Sequence, residues 1–361
     1  MEARIRELQA STDRRSPQYA RTLIDKAEQL RTFEALEGSN AFLLRAATGA
    51  VKIQPRPLRS AALGLILGAF LGLGLALLWE VLDTRVRSAE EIGDRLKLPL
   101  LARVPEPPRQ LARQNRLVMV ADPRSSQAEA FRMLRTNLEF VNLEREARTI
   151  MITSAVEREG KSTTIANLAV ALAKGGRRVV LVDLDLRRPF LDVFFGLQGR
   201  PGLTDVALGR VSLEDAIAPI SIAEGGRGGA RNGHVSTMDG VLEVLPSGPI
   251  PPDPGDFMGT RRLQDILALL GERADLVLID APPLLHVGDA LALSAHVDAL
   301  LVVTRLSVVR TPMLAEVQRL LDSCAASKLG FVETGTEQGA AYGYGSYYHP
   351  TERQPESELV A

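Results

Sequence analysis

Residues 149–164 read TIMITSAVEREGKSTT, an apolar run followed by a polar loop and then by a helical pattern at 165–174. Gly160, Lys161 and Ser162 form the core of a phosphate-binding loop (P-loop). In such a loop backbone N–H groups at a helix N-terminus hold phosphates, the Lys ammonium reaches the β- and γ-oxygens, and the Ser hydroxyl ligates Mg²⁺. The full pattern has Gly where this chain has Ala155. The strand–loop–helix context nevertheless predicts a nucleotide site. The residues expected around the phosphates are Glu159, Gly160, Lys161, Ser162, Thr163 and Thr164.

Two further apolar runs end in aspartates. Residues 179–182 lead into Asp183 and Asp185 within VDLDLRRP, and residues 276–279 lead into Asp280 within IDAPP. Strand residues two apart share a face, and open α/β sheets bind ligands at the carboxyl ends of their strands. A single Asp in this position is usually a turn former or a helix cap. Three of them beside a phosphate loop favour a nucleoside triphosphate with Mg²⁺.

The order of apolar runs predicts the fold class. Candidate strands at 149–153, 178–183, 241–245, 276–280 and 299–304 alternate with helical patterns such as 126–143. Such alternation indicates right-handed βαβ units. We therefore predict an α/β P-loop NTPase fold with a mostly parallel sheet flanked by helices. The proline-rich stretch 83–122 is predicted to be a linker with one short strand at 98–104, and the glycine-rich stretch 223–240 an exposed loop.

One segment has the composition of a membrane span. Residues 61–79 read AALGLILGAFLGLGLALLW, without a charge or a proline. At 1.5 Å per residue this length nearly matches a hydrocarbon core of roughly 30 Å. The alternative is a buried core helix. We predict one transmembrane helix at 61–82, preceded by a polar, helix-compatible stretch at 1–60. Flanking basic residues do not decide its orientation.

Composition excludes some classes of function. The chain has 361 residues and a net charge of −1, which disfavours a DNA-binding protein with a basic surface. Its single Cys324 excludes an intrachain disulfide framework. Four of its five tyrosines lie within seven residues near the C-terminus. They are Tyr342, Tyr344, Tyr347 and Tyr348.

Together, the GKSTT loop, the paired Asp of VDLDLRRP, the IDAPP strand and the tyrosine cluster resemble bacterial tyrosine kinases of capsule and exopolysaccharide export systems. The resemblance covers about residues 50–349. It implies an ATP- and Mg²⁺-dependent kinase in which Lys161 and Ser162 bind phosphate and metal. Asp183 and Asp185 would activate the attacking Tyr hydroxyl and hold the metal, and Asp280 would be the Walker B carboxylate. The implied metal ligands are Ser162, Asp185 and Asp280.

The resemblance also implies an organisation along the chain. Residues 1–60 would be the extracytoplasmic remnant of a chain-length-determinant domain, 83–122 a linker, 123–333 the cytoplasmic kinase domain, and 334–361 a flexible tail whose four clustered tyrosines accept phosphate. Glu129, Arg132 and Arg135 match an E-x-x-R-x-x-R element that contacts neighbouring subunits in a ring-like homo-oligomer. Further implied partners are the polysaccharide polymerisation and export machinery, a cognate phosphatase and membrane lipid, but no nucleic acid. The implied location is the bacterial inner (plasma) membrane.

The sequence leaves two alternatives open. Partitioning and division-site ATPases of the ParA/MinD type share this fold, but they carry a second Lys early in the loop, and residues 154–160 contain none. The other alternative is a non-catalytic, nucleotide-binding scaffold that sets polysaccharide chain length by assembly. Arg158 departs from the kinase family, which commonly has Gly there. Because Gly adopts a positive φ without strain, Arg158 predicts a strained or altered loop and a weakened kinase activity.

Overall fold

The computed structural model describes residues 17–36, 49, 53, 57–222, 240–286 and 288–336. The chain divides into two compact units, Met1–Leu78 and Trp79–Ala361, which are described separately.

The N-terminal unit contains helix α1 (Pro17–Leu36) and most of helix α2 (Pro57–Leu82). Helix α2 has 26 residues and a mean hydropathy of 2.4 in its most apolar window, and none of its residues is buried. Within the described residues it is the one helix long and apolar enough to cross a membrane. A core helix of a soluble protein would be covered by other elements, whereas Phe70 and Trp79 are more than 70 % exposed. The structure therefore favours the predicted span over the buried-helix alternative.

The described part of the second unit is built on one eight-stranded sheet in the order β1-β8-β7-β2-β6-β3-β5-β4. All neighbouring strands are parallel except β4 and β5. The strands are β1 (Leu100–Pro105), β2 (Thr149–Ser154), β3 (Arg178–Asp183), β4 (Ala218–Ile220), β5 (Val241–Leu245), β6 (Leu276–Asp280), β7 (Ala299–Arg305) and β8 (Ser327–Thr336). The five predicted strands are thus present, two of them longer by one residue.

Helices cover both faces of the sheet, so its central strands are apolar on both sides. They are α3 (Ala89–Leu96), α4 (Arg109–Arg113), α5 (Val118–Ala121), α6 (Ser126–Asn142), α7 (Lys161–Lys174), α8 (Leu191–Phe195), α9 (Leu203–Ala207), α10 (Leu213–Ala216), α11 (Pro254–Met258), α12 (Arg261–Arg273), α13 (Asp289–Ser294) and α14 (Thr311–Ser323). Helices α3, α12, α13 and α14 pack on one face, and α5, α6 and α7 pack on the other. This is the predicted α/β P-loop architecture.

Residues 83–122 differ from the sequence prediction, because they belong to this domain and do not form a linker. Strand β1 pairs in parallel with β8, and Ile92 and Leu96 of α3 are almost fully buried. Prolines punctuate this stretch, but they lie between its short elements or, in the case of Pro105, at the last residue of the edge strand β1, and therefore do not prevent packing. The predicted boundary between the kinase domain and the tail, after residue 333, also differs from the structure. Strand β8 continues through Thr336, so residues 334–336 belong to the domain and not to the tail.

Replacing Ile92 tests this placement. Ile92→Ala should lower the free energy of unfolding by about 2–4 kcal/mol, because the side chain is fully buried in the core. Val120→Ala removes apolar carbons from the same stretch at a position that is 47 % exposed, and it should cost far less. Urea unfolding of the detergent-solubilised protein measures both. Equally small losses would show that residues 83–122 do not pack as described.

Candidate functional site

The phosphate loop joins the end of β2 to the first turn of α7. Gly160 is the N-cap residue of α7 and has φ +86°, a conformation that favours glycine. Arg158 also has a positive φ, +66°, although it is not glycine. Ala155 is fully buried and is not among the positive-φ residues, so its backbone does not require the glycine of the full motif. The loop therefore keeps its shape despite the substitution at 155 and is strained at Arg158.

Lys161 brings the predicted carboxylates together. Its Nζ lies 3.1 Å from Oδ2 of Asp185 and makes a short ion pair with Oδ1 of Asp280. The parallel register of β3 and β6 places Asp183 beside Asp280, which explains why the two strand ends meet. Burial alone would lower the pKa of Lys161, but the carboxylates of Asp280 and Asp185 outweigh it and raise that pKa. The ammonium is therefore charged and available for phosphate oxygens.

Asp183 is bound differently from the other two carboxylates. Its Oδ2 accepts hydrogen bonds from the backbone N–H groups of Phe190 and Leu191, both at 3.0 Å, and its Oδ1 accepts one from Asp185 at 3.3 Å. Burial, together with the charge of Asp280, raises the pKa of Asp183. Asp183 therefore holds the loop after β3 in place, and its role in activating a hydroxyl stays a prediction.

The residues at this site fit Mg²⁺ bound through phosphate and water. No group of three or more His, Cys, Asp or Glu in the described ranges has the arrangement of a metal site. Mg²⁺ usually needs only one or two protein carboxylates, because waters and substrate phosphates complete its shell. The Ser162 hydroxyl acts on Asp280 by favouring its charged form, and Oδ2 of Asp280 is buried without a hydrogen-bond partner in the described structure. This hydroxyl and this carboxylate would hold the ion, with Asp185 nearby.

A cavity of about 760 Å³ adjoins the phosphate loop. The first turns of α7 form one side of it, and residues 104–118 form another. Its aromatic side chains are Phe131, Phe190 and Phe194, and the last two pack edge to face with centroids 5.0 Å apart. A smaller cavity of about 200 Å³ is bounded by Asp185 on the carboxylate side. Its other lining residues are Glu157, Arg187, Arg188, Pro283 and His286.

Glu159 is a buried acid in the phosphate loop, with 1 % of its surface exposed. Its Oε2 accepts a hydrogen bond from the N–H of Val156 at 2.8 Å, and its Oε1 accepts one from the N–H of Arg305 at 3.3 Å. Burial raises the pKa of Glu159 to about 7. The sequence prediction placed Glu159 around the phosphates, but it gave no indication that the side chain binds backbone on both sides.

The three charges of the E-x-x-R-x-x-R element separate into two groups. Glu129 and Arg132 form an ion pair on α6, and both are partly exposed. Arg135 instead donates from Nη1 to the backbone oxygen of Ala171, at 3.2 Å, near the C-terminus of α7. Gly175 permits this approach, because a Cβ there would lie 2.7 Å from Nη1. Arg135 is thus occupied within its own chain, and the predicted contact between subunits stays a prediction.

Several residues of the site were not identified from sequence. Thr334 and Arg305 line the larger cavity from the ends of β8 and β7. Asn167 lines it from α7, and its side chain accepts a hydrogen bond from the N–H of Met119. Asn167 could have been found, because it is the one polar residue in the helical pattern 165–173. The four clustered tyrosines at 342–348 lie outside the described residues.

Comparison with known proteins agrees with this geometry. Residues 150–331 match the family model of the CobQ/CobB/MinD/ParA nucleotide binding domain. Over 234 residues the chain is 33 % identical to the tyrosine-protein kinase YwqD of Bacillus subtilis (strain 168), a match that covers 65 % of this chain and 92 % of that protein. It is 28 % identical over 328 residues to the tyrosine-protein kinase ptk of Acinetobacter johnsonii, covering 88 % of this chain but only 42 % of that protein.

Solved structures of tyrosine kinase domains also resemble this chain. The kinase domain of the Escherichia coli tyrosine kinase ETK superposes with a TM-score of 0.59 at 26 % identity, covering 73 % of this chain and all of that one. The BceF tyrosine kinase domain gives a TM-score of 0.59 at 27 % identity, covering 70 % of this chain and 99 % of that one. The domain is therefore a nucleotide-binding domain of the CobQ/CobB/MinD/ParA class. Within that class, the chain belongs to the family of bacterial tyrosine kinases.

Replacing Arg135 tests its place in the fold. Arg135→Ala should lower the free energy of unfolding by about 1–3 kcal/mol, because a charged hydrogen bond to a partly buried carbonyl is lost. Arg319→Ala is the matched control, since it removes another helix arginine whose pair with Glu316 is exposed, and it should leave stability nearly unchanged. Unfolding in urea measures both. An Arg135→Ala protein as stable as the control would contradict the assignment.

Glu159 predicts a pH dependence of stability. Its pKa is about 7 in the folded chain against an ordinary 4.5, so between these values the folded state binds more protons than the unfolded state. The contribution of Glu159 is therefore fully present below about pH 4.5 and is lost as the pH rises to about 7. The unfolding free energy of the wild type, minus that of Glu159→Gln, should fall over this range and be flat above it. A difference that does not change with pH would show that Glu159 has an ordinary pKa.

Proposed function

We propose that the chain is an ATP-dependent protein-tyrosine kinase that phosphorylates its own C-terminal cluster Tyr342, Tyr344, Tyr347 and Tyr348 and thereby regulates capsular or exopolysaccharide polymerisation and export at the inner membrane. The observation that carries this proposal is the buried Lys161 ammonium, which is held between Asp280 and Asp185 at the base of a phosphate loop. Membership of the bacterial tyrosine kinase family supports it.

The two cavities suggest how the substrates are arranged. The cavity of about 760 Å³ has the size and the aromatic lining expected for the base and ribose of ATP, with the triphosphate extending to Gly160 and Lys161. The cavity of about 200 Å³ includes Asp185 and has room for a phenol ring. We therefore place the nucleotide on one side of the loop and the acceptor tyrosine on the other.

The proposed chemistry is phosphoryl transfer to a phenol. A bond forms between the Tyr oxygen and the γ-phosphorus, the bond to the β,γ-bridging oxygen breaks, and ADP leaves. The phenolic proton moves to a carboxylate, because a Tyr hydroxyl with a pKa of about 10 is a poor nucleophile. Asp185 is the better placed acceptor of that proton, since Asp183 is fully buried and bound to backbone. Lys161 neutralises phosphate charge, and Mg²⁺ at Ser162 and Asp280 supplies further neutralisation when bound.

Assembly and membrane attachment belong to the same proposal. The exposed pair Glu129 and Arg132 on α6 is the part of the E-x-x-R-x-x-R element that a neighbouring subunit could reach. Helix α2 would anchor the chain in the membrane, and because ATP is cytosolic the sheet domain would face the cytoplasm. Tyrosines on one subunit could then enter the site of the next one in a ring.

Purified protein with ATP and Mg²⁺ tests the proposal. The wild type should incorporate phosphate into peptides that contain Tyr342–Tyr348, as read by mass spectrometry, and Lys161→Met should reduce incorporation by at least 100-fold, because it removes the ammonium that binds the β- and γ-phosphates. Lys97→Met is the control, since Lys97 is an exposed residue at the end of α3. Replacing all four clustered tyrosines by Phe should remove the signal and leave nucleotide binding intact. Nucleotide binding without any phosphotyrosine in the wild type would instead favour the non-catalytic scaffold.

A further inference from the structure

Glu159 and Thr334 connect the phosphate loop to the ends of two strands that are far away in sequence. The Glu159 carboxylate bridges the N–H of Val156, within the loop, and the N–H of Arg305, at the end of β7. From β8, the Thr334 hydroxyl lies 2.5 Å from the backbone oxygen of Glu159 and 3.3 Å from that of Thr304. Both the side chain and the main chain of one loop residue are therefore fixed by these neighbouring strands.

These hydrogen bonds lie at the part of the loop, residues 158–160, where the backbone conformation is unfavourable. Arg158 and Gly160, on either side of Glu159, both have positive φ. Such a conformation is unfavourable for a non-glycine residue and persists only where neighbouring groups enforce it. Thr334 also abuts Gly160, since a Cβ on that glycine would lie 3.4 Å from its hydroxyl oxygen. Immediately afterwards come Lys161 and Ser162, which we expect to bind phosphate and metal.

We propose that Glu159 and Thr334 act as positioning residues, a latch that holds the phosphate loop in its binding conformation and so sets the affinity for nucleotide. Both side chains are buried, and each is satisfied by backbone groups of this chain, so neither needs to touch the reacting atoms. The latch rests on the proposed nucleotide site. It does not depend on phosphate being transferred to tyrosine.

Substitutions at Glu159 and at Thr334 test the two members of the latch one at a time. Glu159→Gln keeps the shape of the side chain, but its amide nitrogen is a donor facing an N–H donor, so one of the two carboxylate bonds is lost. Thr334→Val removes the hydroxyl and keeps the volume. Thr334→Ser keeps the hydroxyl and should restore binding. At pH 8, where Glu159 is ionised, the first two variants should each weaken binding of Mg²⁺–ADP about tenfold, and Thr334→Ser should remain within about twofold.

Binding to the whole 361-residue chain in detergent is measured by calorimetry. In the double variant Glu159→Gln/Thr334→Val, the fold-loss of affinity for Mg²⁺–ADP should be smaller than the product of the fold-losses in the two single variants, because both side chains act on the same loop. The KM for ATP should rise in parallel, whereas kcat at saturating ATP should change less than twofold. Leu321→Ala is the control for simple destabilisation, since it opens the core at α14 and should leave the affinity unchanged.

The outcomes distinguish failure of the latch from failure of the proposed function. If the wild type binds Mg²⁺–ADP and both latch variants bind it equally well, the latch is wrong and the nucleotide site stands. If Leu321→Ala weakens binding as much as Glu159→Gln does, the effect is one of general stability and the latch is also wrong. If the wild type binds no nucleotide, the proposed function itself fails.

Discussion

The ion pair between Lys161 and the strand-end carboxylates is the interaction on which the rest of the structure depends. A buried ammonium and buried carboxylates are costly to desolvate unless they lie together, so the sheet must bring β3 and β6 side by side and the loop must deliver Lys161 to them. This requirement explains the register that places Asp183 beside Asp280. It also allows the Lys161 ammonium to change partners, because a bound triphosphate would offer it a second set of negative charges. Under the proposed function, the carboxylates would then be free for the metal and for the acceptor hydroxyl.

The division of roles among the three aspartates follows from their hydrogen bonds. Asp280 lies at the end of β6 with one oxygen on Lys161 and the other buried without a partner, so it has unused capacity for a metal or a water. Asp183 has less unused capacity, because three backbone N–H groups already bind it. Asp185 is the carboxylate that reaches both Lys161 and the smaller cavity. Two aspartates of one short motif therefore differ in their surroundings, since Asp183 binds the backbone of the loop after β3 and Asp185 borders the smaller cavity.

Much of the fold and the centre of the site could be predicted from the sequence, because both follow from local patterns. Buried parallel strands are continuous apolar runs, and the phosphate loop and the strand-end aspartates are short motifs. What the sequence could not supply depends on contacts between distant segments. The direction of the Glu159 side chain is decided by Arg305, and that of Arg135 by Ala171 and Gly175. Neither spacing nor composition contains that information, and the E-x-x-R-x-x-R element gave no indication that Arg135 donates to the backbone of α7.

The largest error concerned residues 83–122, and its correction changes how the site is held. Proline content indicated a spacer, yet β1 is an edge strand whose register pairs Val104 with Thr334. Thr334 in turn contacts the phosphate loop through Glu159, and residues 104–118 form a wall of the larger cavity. The chain that follows helix α2 is thus hydrogen-bonded, strand to strand, to the residue that touches the loop. The shape of the nucleotide site consequently depends on the segment next to the predicted membrane span, which a flexible linker could not have achieved.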